Sequence, residues 1–338
     1  MTTEDDDPDQ IPPPPPRPGA STFTIEGRAA PGLFVVGWLA SLLGLAVVLA
    51  GAIAPSTVLV YFVGPGLLSL GLIAAAGNQA FERRSRGEPY AGPSPILVFA
   101  ATIAVTYFVG AILGLLLDAV LTSTGATVWP PVGQLIAGAI TALVFIGLIR
   151  LTVVGTGALS WSEMGLRPFD GQAIRDLAAG ASLAVPVIGV TLVVGAVLVS
   201  IFGVTSPSPL PPTGELSGLL LQLVAGAIIA PIAEEFLFRG FAVTAWRRSI
   251  GPSRAIFRAT LLFALAHVIG VAPTDDFGHA LRLMAVGAGT RLPVAWVLGW
   301  VFVRRGSLWA SIGLHAAFNA VLLILAHLAT LANRSVAG

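Results

Sequence analysis

The sequence predicts an all-α fold, a polytopic bundle of eight or nine transmembrane helices. Three observations lead there. Only 10% of its 338 residues are charged, where a soluble domain carries about 25%. Mean hydropathy is +0.88. Apolar runs of the roughly 20 residues needed to cross a bilayer recur from residue 32 to residue 331.

The elements follow in order. Residues 1–31 hold Glu4, Asp5, Asp6, Asp7 and Asp9, then an unbroken Pro12 to Pro16. This stretch cannot bury a core and reads as a disordered cytoplasmic tail of polyproline character. It lacks the basic start of a secretory signal. The apolar runs are 32–53, 57–77, 96–118, 132–153, 176–203, 219–246, 255–272, 281–303 and 307–331. The eighth carries Arg282 and Arg291 in its first half, so it either tilts or begins near Leu292. Between the fourth and fifth runs, Trp161 to Asp176 mixes aromatics with Glu163, Arg167 and Asp170, as an interfacial turn or short helix would. Thr205 to Thr213 is a proline-rich loop. The chain thus divides into a tail at 1–31, N-terminal helices at 32–155, a catalytic core at 156–331 and a short tail at 332–338.

Arginine sets the orientation. Every basic residue is arginine. Taking loops alternately, one side holds Arg83, Arg84, Arg86, Arg150, Arg167, Arg175, Arg247, Arg248, Arg254, Arg258, Arg304 and Arg305, and the other Arg282, Arg291 and Arg334. Basic loops stay in the cytoplasm, which places the N-terminus there. A net charge of +1 with no basic patch excludes nucleic acid as a partner. The absence of cysteine excludes disulfides, a thiol nucleophile and thiolate-bound metal. Glycines such as Gly110 and Gly114 have the small-xxx-small spacing of close helix contacts.

Away from span ends, the ionisable residues inside the runs are Glu234, Glu235, Arg239, His267 and His315, with His327 at the margin of the set. One charge at the centre of a membrane helix costs about 2.5–3.5 kcal/mol on insertion scales. Three within residues 234–239 are a large penalty to carry without a use. Helix rise puts Glu234 about 20 Å from Arg247, His267 about 13 Å from Arg258 and His315 about 15 Å from Arg305. Three helices therefore bring these groups to one depth, reachable from the arginine side. Glu235 and Arg239 stand at i,i+4 and can pair. Glu234, turned about 100° from Glu235, has no cation on its own face. His315 and Asn319 are again i,i+4. Phe263 shares a face with His267 and packs the site wall. His327 falls nearer the outer face, and His279, after Asp275 and Asp276, in a polar external stretch.

A carboxylate, two imidazoles and an amide round a buried site point to water activation. Two mechanisms fit. In one, Glu234, His267 and His315 hold a divalent metal such as zinc. In the other, Glu234, helped by His267, deprotonates water, and His315 with Asn319 stabilises the oxyanion. The zincin pattern His-Glu-x-x-His is absent.

Glu234-Glu235-x-x-x-Arg239, Phe263-x-x-x-His267 and His315-x-x-x-Asn319 resemble, in order, the motifs of the CPBP family of intramembrane proteases. That family includes the Ras-converting CAAX prenyl endopeptidases and bacterial bacteriocin-processing and Abi proteins. The resemblance covers roughly residues 160–330. It implies an all-helical peptidase of a cell membrane, here a bacterial one, acting on a membrane-associated protein or peptide. Its cavity would open to the lipid bilayer and the cytoplasm. By carry-over Glu234 activates water, His267 assists or binds metal, His315 and Asn319 form the oxyanion site, and Glu235 and Arg239 support the geometry. Two other classes stay open: an ion- or proton-coupled transporter using Glu234, and a non-catalytic immunity or scaffold protein. Against the transporter, no broken-helix pair recurs in matching halves of the sequence.

Overall fold

The computed structural model describes residues 25, 27–54, 56–205, 211–269 and 276–337, the last three of these by backbone alone. Most of the expected tail, and Asp275, lie outside these residues, as do positions 206–210 of the proline-rich loop. The described chain is all helix and turn. Its helices are α1 (Pro31–Ile53), α2 (Leu59–Ser85), α3 (Pro95–Thr124), α4 (Pro130–Val154), α5 (Gly171–Phe202), α6 (Leu216–Ile250), α7 (Pro252–Ala266), α8 (Phe277–Gly289), α9 (Leu292–Arg305) and α10 (Leu308–Ala337).

Eight segments among the described residues are long and apolar enough to cross a membrane: α1 to α6, α8 with α9, and α10. This is a multi-pass membrane protein. Outward faces bear the apolar side chains that lipid requires; on α5 these include Leu192, Val193, Val197 and Ile201. The expected span at 255–272 is a shorter helix, α7, whose 15 residues reach about 22 Å. The expected span at 281–303 is two helices, α8 and α9, parted at Thr290 and Arg291 just before Pro293. A proline removes a ladder donor and crowds the preceding turn, which accounts for the break. Residues Gly171 to Asp176, expected in an interfacial turn or short helix, open α5, because Asp170 caps it by accepting from the amides of Gln172 and Ala173 at 2.9 and 3.0 Å.

The arginine-bearing loops gather on one face. Glu82 accepts from the Ala29 amide and pairs with Arg28, which puts the start of α1 there. Arg84 donates to the Thr156 carbonyl, Arg248 pairs with Glu163 at 2.7 Å, and Arg305 pairs with Asp176 at 3.3 Å. Trp309 donates to the Arg167 carbonyl at 2.9 Å. At the opposite face Arg334 donates to the Thr213 carbonyl, and Gln222 on α6 donates to Pro211 and to Gln134 on α4. Since α6 and α9 both end on the arginine face, α7 and the chain after it make the return leg between them.

The Glu163–Arg248 pair gives a pH prediction. Its hydrogen bond to Arg248 holds the Glu163 carboxyl down to about 2 from 4.5. A carboxyl lowered on folding stabilises the fold above its unfolded value, and that contribution fades as pH falls from 4.5 towards 2. Wild type should melt above Glu163→Gln at neutral pH, with the gap closing by pH 2. A gap that does not vary over that range contradicts the pairing.

The closest helix approach near the site joins α5 and α10. A Cβ on Gly180 would collide with the Ala310 carbonyl, and one on Gly313 with the Leu177 carbonyl. Gly180→Ala should therefore cost about 1–3 kcal/mol through overpacking, read as a lower unfolding midpoint in detergent. An unchanged midpoint would show that the helices can part freely. By contrast, a methyl group added at Gly110 or Gly114 would have no neighbour within 4 Å, so these glycines make no close helix contact among the described residues.

Candidate active site

Glu234 and Glu235 sit on α6 between two π-helical stretches, Val224–Ile229 and Phe236–Val243. Such wide turns are rare and concentrate at functional sites. His267 caps the end of α7, and His315 and Asn319 lie along α10. Glu234, His267, His315 and Asn319 come to one cavity, of about 680 Å³, with Phe263 in its wall.

Glu235 and Arg239 form the buried anchor. Both side chains are fully buried and pair at 2.8 Å, as the i,i+4 spacing predicts. Two further contacts are not local. Arg239 donates to the Ala295 carbonyl of α9 at 3.1 Å, and its guanidinium lies 4.5 Å from the centre of the Phe263 ring. The anchor also reaches α10: His315 Nδ1 donates to Glu235 Oε1 at 2.8 Å. Phe263 in turn packs on the rings of His267 and His315, at 4.4 and 5.7 Å between centroids.

This anchoring sets both imidazoles. His267 Nδ1 donates to the Phe263 carbonyl at 2.8 Å, within its own last turn. With both Nδ1 atoms donating, each neutral ring presents an Nε2 lone pair. Both Nε2 atoms lie 3.9 Å from Glu234 Oε2. That is beyond direct hydrogen bonding and suits a bridging oxygen atom. Glu234 Oε2 is buried and makes no hydrogen bond among the described residues. Asn319 Nδ2 donates one hydrogen to the Gly226 carbonyl at 2.7 Å and has another to give.

The donor chemistry resembles a metal centre, two Nε2 atoms and a carboxylate, with each imidazole held through Nδ1. The spacing does not. Ligands about 2.0–2.1 Å from a tetrahedral ion lie about 3.4 Å apart, and the separations here are 3.9 Å. Among the described residues no group of three or more His, Asp or Glu side chains has the geometry to hold an ion.

Two features were not visible in the sequence. Glu235 bridges to His315, 80 positions away. Arg291, read as a loop cation of the far side, lines the cavity at the break between α8 and α9 and donates to the Gly287 carbonyl. His327 is buried, at 7% exposure, and is not among the residues that line the cavity. His279 lies in the first turn of α8.

The lining of the cavity continues past the site to Gln134, Thr205, Leu322 and Ala326, away from the arginine face. Towards the arginine face the packed core of Phe236, Phe238, Phe241, Phe302, Leu308 and Ile312 fills the space.

Comparison with the curated proteins and with the solved structures found no match. A family model described as type II CAAX prenyl endopeptidase Rce1-like matches residues 216–321, from the start of α6 to two residues beyond Asn319. That segment is similar to the CAAX protease family of membrane peptidases, the family its three motifs resemble.

Proposed function

We propose that the chain is an intramembrane endopeptidase that hydrolyses a peptide bond of a membrane-associated protein or peptide. The observation that carries this reading is Glu234 Oε2 facing two imidazole Nε2 atoms at 3.9 Å each. A water between these groups donates its two hydrogens to Glu234 Oε2 and His267 Nε2. Glu234, assisted by His267, takes a proton as the water oxygen attacks the carbonyl carbon. The oxyanion forms beside the free N–H of Asn319 and His315 Nε2, which donates when the ring is protonated and balanced by Glu235. Glu234 then delivers its proton to the leaving nitrogen as the C–N bond breaks. Glu235 and Arg239 touch no reacting atom; they position His315. The arginine loops, and with them the N-terminus, lie in the cytoplasm of a bacterial cell membrane.

A metal-dependent reading keeps support from the donor set. Were a divalent ion such as zinc needed, Glu234, His267 and His315 would hold it, and it would polarise the water or the carbonyl. The test is purified protein in liposomes, incubated with peptides released from membrane proteins and read by mass spectrometry for new termini, with and without chelator. New termini that survive chelation support the glutamate mechanism, and loss restored by added zinc supports the metal. Solute flux with no new termini would favour a transporter and sink the peptidase. Normal biological function from a Glu234→Gln protein would favour the scaffold instead.

A further inference from the structure

We propose that the N-terminal helices hold an anionic phospholipid, of the phosphatidylglycerol class, in a groove between α1 and α2. The groove lies outside residues 216–321, and its occupant does not depend on the peptidase reading.

Three observations carry it. The first is a charge imbalance at the mouth. The groove encloses about 630 Å³, a volume usual for ligand sites. Arg28, Arg83 and Arg86 line its arginine-face end together with Glu82 and Glu88. Glu82 pairs with Arg28 at 3.7 Å and with Arg86 at 3.2 Å. Glu88 pairs with Arg83 at 3.5 Å and with Arg86 at 4.0 Å. Three guanidiniums thus share two carboxylates, which leaves one positive charge in excess among the lining residues. A single phosphodiester balances it. Guanidinium forks suit phosphate oxygens, and basic pockets between membrane helices hold anionic headgroups.

The second is the loss of polarity with depth. Along α2 the lining runs from Arg86 through Glu82 and Asn78 to Leu72. By helix rise the last three stand about 6, 12 and 21 Å below Arg86. Trp38, Ala75 and Leu72 make the deeper walls largely apolar. On the same helix as Trp38, the side chains of Leu39, Leu42 and Leu43 are exposed, as lipid-facing groups are. A free phosphate gains nothing from such walls. An acyl chain hanging below a phosphate buries its methylenes there.

The third is a buried amide that no protein group satisfies. Asn78 is 8% exposed and lines the groove, and its Oδ1 makes no hydrogen bond among the described residues. The buried hydroxyl of Ser41, deeper in the same wall, is likewise without a partner. Buried polar groups of this kind are costly to leave unpaired. Asn78 stands one turn below Glu82, where glycerol and ester oxygens follow a phosphate held at the mouth. Its amide can give a hydrogen to an ester carbonyl and accept one from a headgroup hydroxyl. Phosphatidylglycerol supplies the negative charge and the hydroxyls. Phosphatidylcholine, with no net charge and no donor, supplies neither.

The test titrates delipidated full-length protein in detergent with phosphatidylglycerol, phosphatidylcholine or inorganic phosphate, read by native mass spectrometry. The unfolding midpoint of each lipid-free variant controls for fold. Wild type should retain one phosphatidylglycerol per chain where it retains no phosphatidylcholine. Arg86→Gln, which neutralises the mouth, should weaken that binding at least about tenfold, the worth of one charged hydrogen bond. Glu88→Gln, at an exposed carboxylate, raises the excess charge and should tighten it. Asn78→Leu should weaken it while leaving the lipid-free midpoint unchanged or higher, since Oδ1 has no protein partner to lose. Equal retention of the two lipids overturns the proposal, as does binding that Arg86→Gln or Asn78→Leu leaves unmoved, or that Glu88→Gln weakens. Phosphatidylglycerol displaced by inorganic phosphate would make this a free-anion site and also overturns it. So does binding seen only after deletion of residues 1–24, which would give the mouth to the acidic tail.

Discussion

Glu234→Gln is expected to slow peptide cleavage about 10²–10⁴-fold while leaving the folded yield unchanged. The two halves of that expectation have separate causes. Glutamine matches the size of glutamate, and Glu234 Oε2 makes no hydrogen bond among the described residues that the change would remove. The neighbouring anchor, Glu235 with Arg239, is intact in the variant. What disappears is the one carboxylate that faces both Nε2 atoms, and an amide cannot take a proton from water at neutral pH. The measurement pairs cleavage rate in liposomes with a melting curve. Undiminished cleavage by a well-folded variant would remove Glu234 from the reaction, and equal losses of rate and of fold would make it structural.

Arg239→Met should act the opposite way, on the fold first. It leaves the Glu235 carboxylate in a fully buried place with its cation gone. Breaking a buried pair from one side costs about 3–5 kcal/mol, against a total stability of about 5–15 kcal/mol for a typical protein. The change also removes the tie to the Ala295 carbonyl and the cation over Phe263, so α6, α7 and α9 all loosen. The double variant Glu235→Gln with Arg239→Met should recover part of the loss, because no uncompensated charge stays buried. A coupling of about 0.5–3 kcal/mol is expected for groups in direct contact. Denaturant unfolding of the two single variants and the double variant measures it. Strictly additive losses would mean that the two side chains do not depend on each other. Activity should fall in the double variant even where the fold recovers, since a neutral amide holds His315 Nδ1 less firmly than the carboxylate of Glu235 does.

The contrast between these neighbours explains what could be read from the chain alone. Helices, their order and the depth of each polar group are local properties. They follow from runs of apolar residues, from a fixed rise per residue and from the cost of leaving charge in lipid. So the all-helical class, the shared depth of Glu234, His267 and His315, the Glu235–Arg239 pair and the common face of the arginine loops were all legible. Local rules also account for a misreading. Gly110 and Gly114 have the spacing of a contact, but which face of α3 meets a neighbour is settled by the neighbour. The run at 281–303 lies within one candidate span, and its second helix opens at Leu292, the start that Arg282 and Arg291 suggested.

Tertiary structure alone decided the rest. The bond from Glu235 to His315 spans 80 positions, and no periodicity encodes a contact between helices so far apart. The 3.9 Å separations round Glu234 depend on how α6, α7 and α10 cross. Arg291 became a wall of the cavity because α8 and α9 part at its backbone. The shape of the cavity depends on where aromatic side chains of several helices fill space and where they do not. Depth is a property of one helix and can be counted along it. The shape of a cavity is a property of the packing between helices, and it is fixed only when all of them are in place.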